Sequence, residues 1–196
     1  MSKIKATKNN STTDVICKSA AQLFRTNGFK NSSMRMLAQS LGVEAPSLYN
    51  HIGSKSEMLQ HICTKVANDF GAHMVSLEEE ELTAVAKIEK IIRFHVKMML
   101  KHFDEVYVAN HDWRYLDAAD LTAFLQQRKA YETAMVQLVK NGINSKEIAN
   151  IHPQIVVLTI LSALRGLEFW EKYKQHLHTK TLENNIVQLL LKGIKL

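Results

Sequence analysis

The side chains best suited to chemistry in this sequence of 196 residues lie in its first third. An arginine fork such as that of Arg35 can pair with the O6 and N7 atoms of guanine. A hydroxyl donor such as Tyr49 and a point charge such as Lys55 suit the oxygens of a phosphate. Ala45 and Pro46 are small apolar groups that can contact the methyl group of thymine. These residue types together indicate contact with nucleic acid.

The spacing around these residues predicts a helix-turn-helix. A first short helix has one inward apolar face, formed at positions i, i+3, i+4 and i+7 by Met34, Leu37, Ala38 and Leu41. Gly42 supplies the left-handed turn that ends this helix. Pro46 suits the first turn of the next helix, because no backbone hydrogen bond is lost there. This second helix, predicted over residues 45–51, has the shape that enters a major groove.

The rest of the chain predicts further helices, so the expected fold class is all-α. Thr13 or Asp14 can cap a first helix, which ends at Gly28. Ser54 is the predicted N-cap of a fourth helix, with Glu57 in the capping-box position. Apolar patterns and turn signals predict later helices over residues 85–99, 103–114, 118–141 and 155–170, and from about residue 181. No sustained alternation of apolar and polar residues indicates a strand.

Positive charge is concentrated in the first 60 residues. They hold 8 of the 25 Lys and Arg residues but only 3 of the 19 Asp and Glu residues, a net charge of +5. Such an excess suits a protein that releases counterions from phosphates. The segment of residues 1–11 is either a loose arm that contacts DNA or a solvated tail.

Several classes of protein are disfavoured by what the sequence lacks. No apolar run approaches the ~18 residues of a membrane span, and no segment looks like a secretion signal, so a cytoplasmic location is expected. Cys17 and Cys63 fall in helical patterns, which favours reduced, buried thiols. The 9 histidines show no pair at metal-ligand spacing on one helix, so no metal is expected. Without a nucleophile elbow or a phosphate loop, neither an enzyme nor a cofactor is expected.

The last two predicted helices carry more apolar surface than the remaining chain can cover. We therefore expect a homodimer, in which these helices form a four-helix bundle across a two-fold axis. The predicted interface residues are Leu161, Leu164, Phe169, Trp170, Ile186, Leu189 and Leu190.

Aromatic, Met and basic side chains share the inward faces of the helices between residues 83 and 170. They are typical of a pocket that encloses a mostly apolar molecule and orients one polar or anionic group, or they form an ordinary core. Arg128 either binds an anionic ligand or pairs with Asp104, Glu105 or Asp112. His95 and His102 are either core residues or polar pocket contacts. The predicted pocket residues are Phe94, His95, Met98, His102, Trp113, Phe124, Arg128 and Tyr131.

Residues 37–55 read Leu-Ala-Gln-Ser-Leu-Gly-Val-Glu-Ala-Pro-Ser-Leu-Tyr-Asn-His-Ile-Gly-Ser-Lys. This segment resembles the DNA-binding signature of the TetR family of transcriptional regulators. The resemblance covers residues 12–60. Sequences near Trp113, Arg128 and residues 164–170 are similar to branches of the family that bind acyl thioesters or other lipid-like effectors. The resemblance implies dimers formed by the C-terminal helices, palindromic operators, and repression until a small ligand enters the C-terminal domain.

The resemblance also implies roles for single residues. It assigns base reading to Arg35, and contact with the groove to Ala45, Pro46 and Ser47. It assigns phosphate contacts to Ser33, Tyr49, His51 and Lys55. Ala45 and Asn50 depart from the family pattern, which often has a polar and a bulky residue there, so no relative's operator can be transferred. The alternatives are a surface salt bridge for Arg35 and a core-capping aromatic for Tyr49.

These features predict a ligand-responsive repressor that binds a palindromic operator as a homodimer. The predicted domains are a flexible basic tail over residues 1–11, a DNA-binding domain over 12–56, and an effector-binding and dimerisation domain over 57–196. Expected partners are double-stranded DNA, a second copy of the chain and a small hydrophobic or amphipathic effector, with no membrane. The alternatives are a DNA-binding protein controlled by a protein partner and a helical enzyme.

Overall fold

The computed structural model describes residues 12–173 and 178–192, and the predicted tail over residues 1–11 lies outside them. The described residues form helices and no β-strand, so the all-α prediction is confirmed. The α-helices are α1 Thr12–Asn27, α2 Met34–Leu41, α3 Ala45–Tyr49, α4 Lys55–Glu78, α5 Ala84–Lys101, α6 Phe103–His111, α7 Ala118–Asn144, α8 Pro153–Arg165 and α9 Thr179–Lys192. Two 3-10 helices cover Trp113–Tyr115 and Gly166–Tyr173. Within the described ranges, each helix is too short or too polar to cross a lipid bilayer.

The chain divides into two compact units. The first unit comprises Met1–Asn68, as far as it is described, and Asp104–Gln126. The second unit comprises Asp69–Phe103 and the described part of Gln127–Leu196. Helix α4 therefore begins in the first unit and ends in the second. The predicted domain boundary after residue 56 falls within the first turn of this helix and stays a prediction.

The core of the first unit is built from the apolar faces of short helices. Ile16, Ala20 and Phe24 are spaced by four along α1, and each is at most 2% exposed. Leu37 of α2 and Leu48 of α3 are equally buried. Burial of a large aliphatic side chain contributes about 1.5–3 kcal/mol. Such packing stabilises α3, whose 5 residues are too few for a helix that is stable alone.

Helix α5 forms the centre of the second unit and contacts both α8 and α9. Its side chains Ile88, Ile91 and Ile92 are at most 1% exposed. Arg93 of the same helix ties α9 in place, because its Nη1 atom donates to Glu183 Oε1 at 2.9 Å and to Asn184 Oδ1 at 3.0 Å.

Three predicted helices end earlier than expected. Helix α3 ends at Tyr49 rather than His51. The helix predicted over residues 103–114 stops at His111, and a separate 3-10 turn follows it. The α-helical part of the predicted helix 155–170 ends at Arg165 and continues as a 3-10 helix.

The helix predicted over residues 118–141 does not end before Gly142. Helix α7 continues through it to Asn144. A Cβ atom at Gly142 would lie 2.5 Å from Ile148 Cδ1 and 2.9 Å from Ala84 Cβ. The glycine therefore permits close packing of neighbouring segments of the second unit instead of breaking the helix.

Cys17 and Cys63 are both buried, which confirms the prediction of buried thiols. Burial raises the pKa of the Cys17 thiol to about 12, with a further rise from the nearby carboxylates of Asp14 and Glu57. This thiol therefore stays protonated and unreactive at neutral pH.

Candidate functional site

The start of α2 is fixed by Ser33. Its backbone is extended, with φ −134° and ψ 157°, and its Oγ atom accepts a hydrogen bond from the N–H of Met36 at 3.2 Å. This contact satisfies one of the N–H groups that a helix leaves unpaired at its first turn. The hydroxyl can still donate its own hydrogen outward to a phosphate. Arg35 lies two residues further on and is exposed.

The predicted glycine turn after α2 is confirmed. Gly42 has the left-handed backbone angles φ 66° and ψ 32°, which strain any residue with a side chain. The N–H of Val43 then donates to the carbonyl of Ala38 at 3.0 Å and closes the end of α2.

Helix α3 turns one side chain inward and most others outward. Leu48 is fully buried and anchors the helix. Tyr49 is 54% exposed, so it does not cap the core. Ala45 is half-buried, and Asn50 and His51 lie on the turn after the helix. We call the exposed candidates the reader surface: Ser33, Arg35, Pro46, Ser47, Tyr49, Asn50 and His51.

Lys55 departs from its expected role as a phosphate contact. Its Nζ atom donates to the carbonyl oxygens of Phe29 at 2.7 Å, Ser32 at 2.9 Å and Lys30 at 3.3 Å. Nζ also lies 4.4 Å from the centroid of the Phe29 ring. An ammonium group has three N–H donors, and three carbonyls use all of them. Lys55 therefore holds the turn between α1 and α2 and has no donor left for a phosphate.

The predicted cap of α4 is confirmed beside this lysine. The N–H of Glu57 donates to Ser54 Oγ at 3.0 Å. In return, the Glu57 carboxylate accepts from the N–H of Gly53 at 2.7 Å, one residue before the usual capping-box position. The position of Lys55 at the start of α4 is thus fixed by local hydrogen bonds.

Two contacts that the sequence did not reveal tie the α1–α2 region to a later segment of the first unit. Phe29 stacks on Tyr115 with ring centroids 5.4 Å apart and meets Phe24 edge to face at 5.1 Å. Arg25 forms an ion pair with Asp104, 79 residues away in sequence. Asp104, one of the acidic residues considered above as partners of Arg128, pairs with Arg25 of α1.

In the second unit, five ring side chains from α4, α5 and α7 form what we call the inner cluster: Phe70, His73, Phe94, His95 and Tyr131. Phe70 meets Phe94 edge to face at 5.4 Å, and the His95 ring at 4.5 Å. His73 stacks on Phe94 at 4.0 Å with the planes 5° apart. The Tyr131 hydroxyl lies 2.9 Å from His95 Nε2. Three predicted pocket residues therefore lie together.

The polar groups of the inner cluster are uncharged at neutral pH. Burial lowers the pKa of His95 to about 3, and positive charge on His73 and Arg165 acts in the same direction. Burial also lowers the pKa of His73 and raises the pKa of Tyr131. Throughout the described part of the chain, no group of three or more His, Cys, Asp or Glu side chains is placed to hold a metal ion.

The other predicted pocket residues have different surroundings. Met98 is 5% exposed and belongs to the core of α5. His102 is the C-cap of α5, and its N–H bonds to the carbonyl of Met98 at 2.8 Å. Arg128 is half-buried on α7 in the second unit. Trp113 and Phe124 belong to the first unit. The inner cluster thus contains three of the eight predicted residues and adds Phe70 and His73.

Large apolar side chains are exposed on the C-terminal helices. We call them the exposed apolar set, and their exposed fractions are 58% for Ile155, 65% for Leu158, 66% for Phe169, 38% for Trp170 and 72% for Leu189. The predicted interface residues Leu161, Ile186 and Leu190 are half-buried. Leu164 was also predicted at the interface, but it is 1% exposed and packs within its own chain. Exposed apolar residues of this size are typical of an interaction surface.

A basic helix-turn-helix with an exposed polar surface, on a chain whose described elements are all helices, defines a DNA-binding transcriptional regulator. The family description "Bacterial regulatory proteins, tetR family" matches residues 16–62. The description "Tetracyclin repressor-like, C-terminal domain" matches residues 81–194. The chain belongs to the TetR family of transcriptional regulators.

Relatives cover nearly the whole chain at low sequence identity. The Fatty acid metabolism regulator protein of Bacillus subtilis is 21% identical over 91% of this chain and 93% of its own length. The ketosteroid transcriptional regulator KstR2 of Mycobacterium tuberculosis has a TM-score of 0.87 at 17% identity and covers 99% of this chain and 100% of that chain. AibR, solved with isovaleryl coenzyme A and operator DNA, has a TM-score of 0.79 at 18% identity over 91% of this chain and 97% of that chain. The two solved structures share the fold of this chain.

Proposed function

We propose that this regulator is a repressor that binds a palindromic operator as a homodimer and releases it when a small molecule binds. The observation that carries the proposal is the reader surface. Its side chains are exposed, while Ser33, Gly42 and the Lys55 contacts fix the backbone beneath them. A fixed backbone lowers the ordering cost of binding. The exposed guanidinium of Arg35 can reach the edge of a guanine.

The exposed apolar set supports dimerisation. Leu158, Phe169 and Leu189 each leave well over half of their surface exposed. Covering such surface stabilises a complex by roughly 25 cal/mol per Å². A two-fold axis would give the dimer two copies of α3, which suits half-sites about 34 Å apart on the DNA. A palindromic operator follows from that symmetry.

The inner cluster is the proposed place for the effector. Its aromatic rings can contact an apolar body, and its hydroxyl and imidazole groups can orient one polar group. Support also comes from relatives, since AibR was solved with isovaleryl coenzyme A and the Bacillus subtilis relative is named a regulator of fatty acid metabolism. We therefore propose a mostly apolar effector with a polar or anionic group.

Helix α4 is the proposed connection between effector and DNA. Its first residue, Lys55, holds the turn before α2, and Phe70 and His73 further along it belong to the inner cluster. An effector that favours a different position of α4 would draw the reader surface away from its groove. A 100-fold change in operator affinity requires about 2.7 kcal/mol of coupling.

Selection of DNA from random duplexes by the full-length protein tests the DNA part of the proposal. We expect the recovered sequences to share two inverted half-sites. The variant with both Arg35→Ala and Ser47→Ala should lose this enrichment. Lys97→Ala removes a positive charge from an exposed position of the second unit and should keep it. Recovery of sequences without repeated half-sites, or equal enrichment by all three proteins, contradicts the proposal.

A further inference from the structure

The inner cluster contains a polar atom that the protein does not satisfy. Among the described residues, the Nδ1 atom of His73 is a buried side-chain nitrogen without a hydrogen-bond partner. The stack on Phe94, with centroids 4.0 Å apart, holds the ring in this position. A buried nitrogen without a partner is costly, because it has lost its hydrogen bond to water. A ligand atom that bonds to Nδ1 would remove this cost.

Nδ1 itself has no accessible surface, but the rings of the inner cluster are only partly buried. All five rings of the inner cluster keep some accessible surface. Ile91 and Ile92, on the same helix as two of them, have none. Yet burial is the largest cause of the changed pKa values of His95 and Tyr131. Side chains that are surrounded by protein and still keep accessible surface line a recess rather than fill a core.

The recess is suited to a neutral oxygen more than to an anion. The Tyr131 hydroxyl and the His95 ring already bond to each other, and both imidazoles are neutral at pH 7. The charged side chains that act on the two imidazoles lie outside the cluster. Lys97 and Arg165 are exposed to solvent, and Lys90 forms an ion pair with Glu80. A carboxylate bonded to these neutral imidazoles would lose its hydration, and neither imidazole would supply a counter-charge.

We infer that the inner cluster binds the uncharged oxygen of a mostly apolar molecule through His73, with the His95–Tyr131 pair as a neighbouring polar contact. The oxygen belongs to a hydroxyl group or to the carbonyl of an ester or thioester. The aromatic rings of Phe70 and Phe94 contact the apolar body. This inference rests on the proposed ligand response and replaces its polar or anionic group with a neutral one.

Calorimetric titration of the full-length protein with matched probes tests the inference. The neutral probes are the alcohols from hexanol to dodecanol and the methyl esters of the corresponding acids, and the charged probes are the carboxylates of the same lengths. We expect the best neutral probe to bind at least about tenfold more tightly than the carboxylate of its length at pH 7. The two neutral arms distinguish a hydroxyl from a carbonyl. A carboxylate that binds as tightly as either neutral probe, or no binding by any probe, overturns the inference.

His73→Phe keeps a ring for the stack on Phe94 but removes Nδ1, and we expect it to weaken neutral-probe binding about tenfold. Tyr131→Phe removes a single oxygen and provides a second variant if the first is unstable. The matched control is His111→Phe, which replaces a histidine stacked on Tyr107 at 4.2 Å in the first unit and should leave probe affinity unchanged. Unchanged affinity in His73→Phe or Tyr131→Phe contradicts the role of that residue.

Operator binding without any probe separates this inference from the proposed function. If the protein binds its selected operator but shows no preference for neutral probes, the inference fails and the DNA-binding proposal stands. If it prefers neutral probes but binds no operator, the inference stands and the proposed function fails.

Discussion

The reader surface of the first unit and the inner cluster of the second unit both use histidine and tyrosine, but in different surroundings. Tyr49 and His51 are exposed, so water can reach their polar atoms. Tyr131 and His95 bond to each other inside the protein, where burial keeps the imidazole neutral. Under the proposed function, the same residue types would bind a charged polymer at the surface and a neutral ligand in the interior.

Because of this difference, mutations in the two regions should affect DNA affinity and the free energy of unfolding differently. A change on the reader surface, apart from the N-cap Ser33, removes no packing, so it should alter DNA affinity and leave the free energy of unfolding nearly unchanged. A change in the inner cluster or at Lys55 removes internal contacts, so it should alter the free energy of unfolding as well.

The largest effect is expected from Leu189→Glu, which tests whether the reader surface needs two copies of the chain. Leu189 is 72% exposed, so the change costs little within one chain. In a dimer it buries an unpaired charge on each side, at a cost of about 3–5 kcal/mol. We expect dissociation into monomers in sedimentation velocity and a matching loss of operator affinity. Gln126→Glu adds the same charge at an exposed position of the first unit and should remain dimeric. A dimer that persists in Leu189→Glu places the interface elsewhere.

Lys55→Met is expected to lower the free energy of unfolding by about 2–3 kcal/mol, because it removes three charge-assisted hydrogen bonds and keeps most of the side-chain stem. Denaturant titration measures this loss. Lys18→Met changes an exposed lysine of α1 and should leave the stability unchanged. An unchanged free energy of unfolding in Lys55→Met, with a lower salt dependence of DNA binding, would instead support the original assignment of Lys55 to phosphate.

Arg35→Ala is expected to cost about 1–3 kcal/mol of operator affinity and to flatten base preference at one symmetric position of each half-site. Its midpoint of chemical unfolding should match the wild type, because Arg35 is exposed. Binding-site selection with the variant measures the base preference. Preference retained at every position would assign base reading to other residues.

A smaller effect is expected from pH. His95 has a pKa of about 3 in the folded chain and 6.5 as its ordinary value, so the unfolded chain binds more protons between these values. Stability therefore falls as pH decreases through this range. Between pH 7 and about pH 4.5, we expect the wild type to lose about 1–2 kcal/mol more than His95→Phe, after allowance for partial exposure. Parallel stability curves for the two proteins would show that His95 is not held neutral by the fold.

The first unit was predictable where its structure depends on local spacing. The N-cap Ser33, the left-handed Gly42 and the cap formed by Ser54 and Glu57 each involve residues within a few positions of one another. A lysine at position 55 suits either a phosphate or backbone carbonyls equally well, and only the position of the turn after α1 decides between them.

The inner cluster was predictable only in part, because its contacts join three helices. Phe94, His95 and Tyr131 were recognised by residue type. Phe70 and His73 are three residues apart, which places them on one face of α4, but neither was among the predicted pocket residues. Nothing in the local sequence shows that this face of α4 meets α5.

We propose that a ligand bound in the inner cluster controls DNA binding by the reader surface. Operator affinity measured with and without ligand tests this directly. Fluorescence anisotropy with the selected operator would be measured at saturating concentrations of the best neutral alcohol or methyl ester. We expect about 100-fold weaker binding of the operator, equivalent to about 2.7 kcal/mol, and a much smaller change in His73→Phe. Operator affinity that is unchanged or stronger in the presence of bound ligand would contradict it.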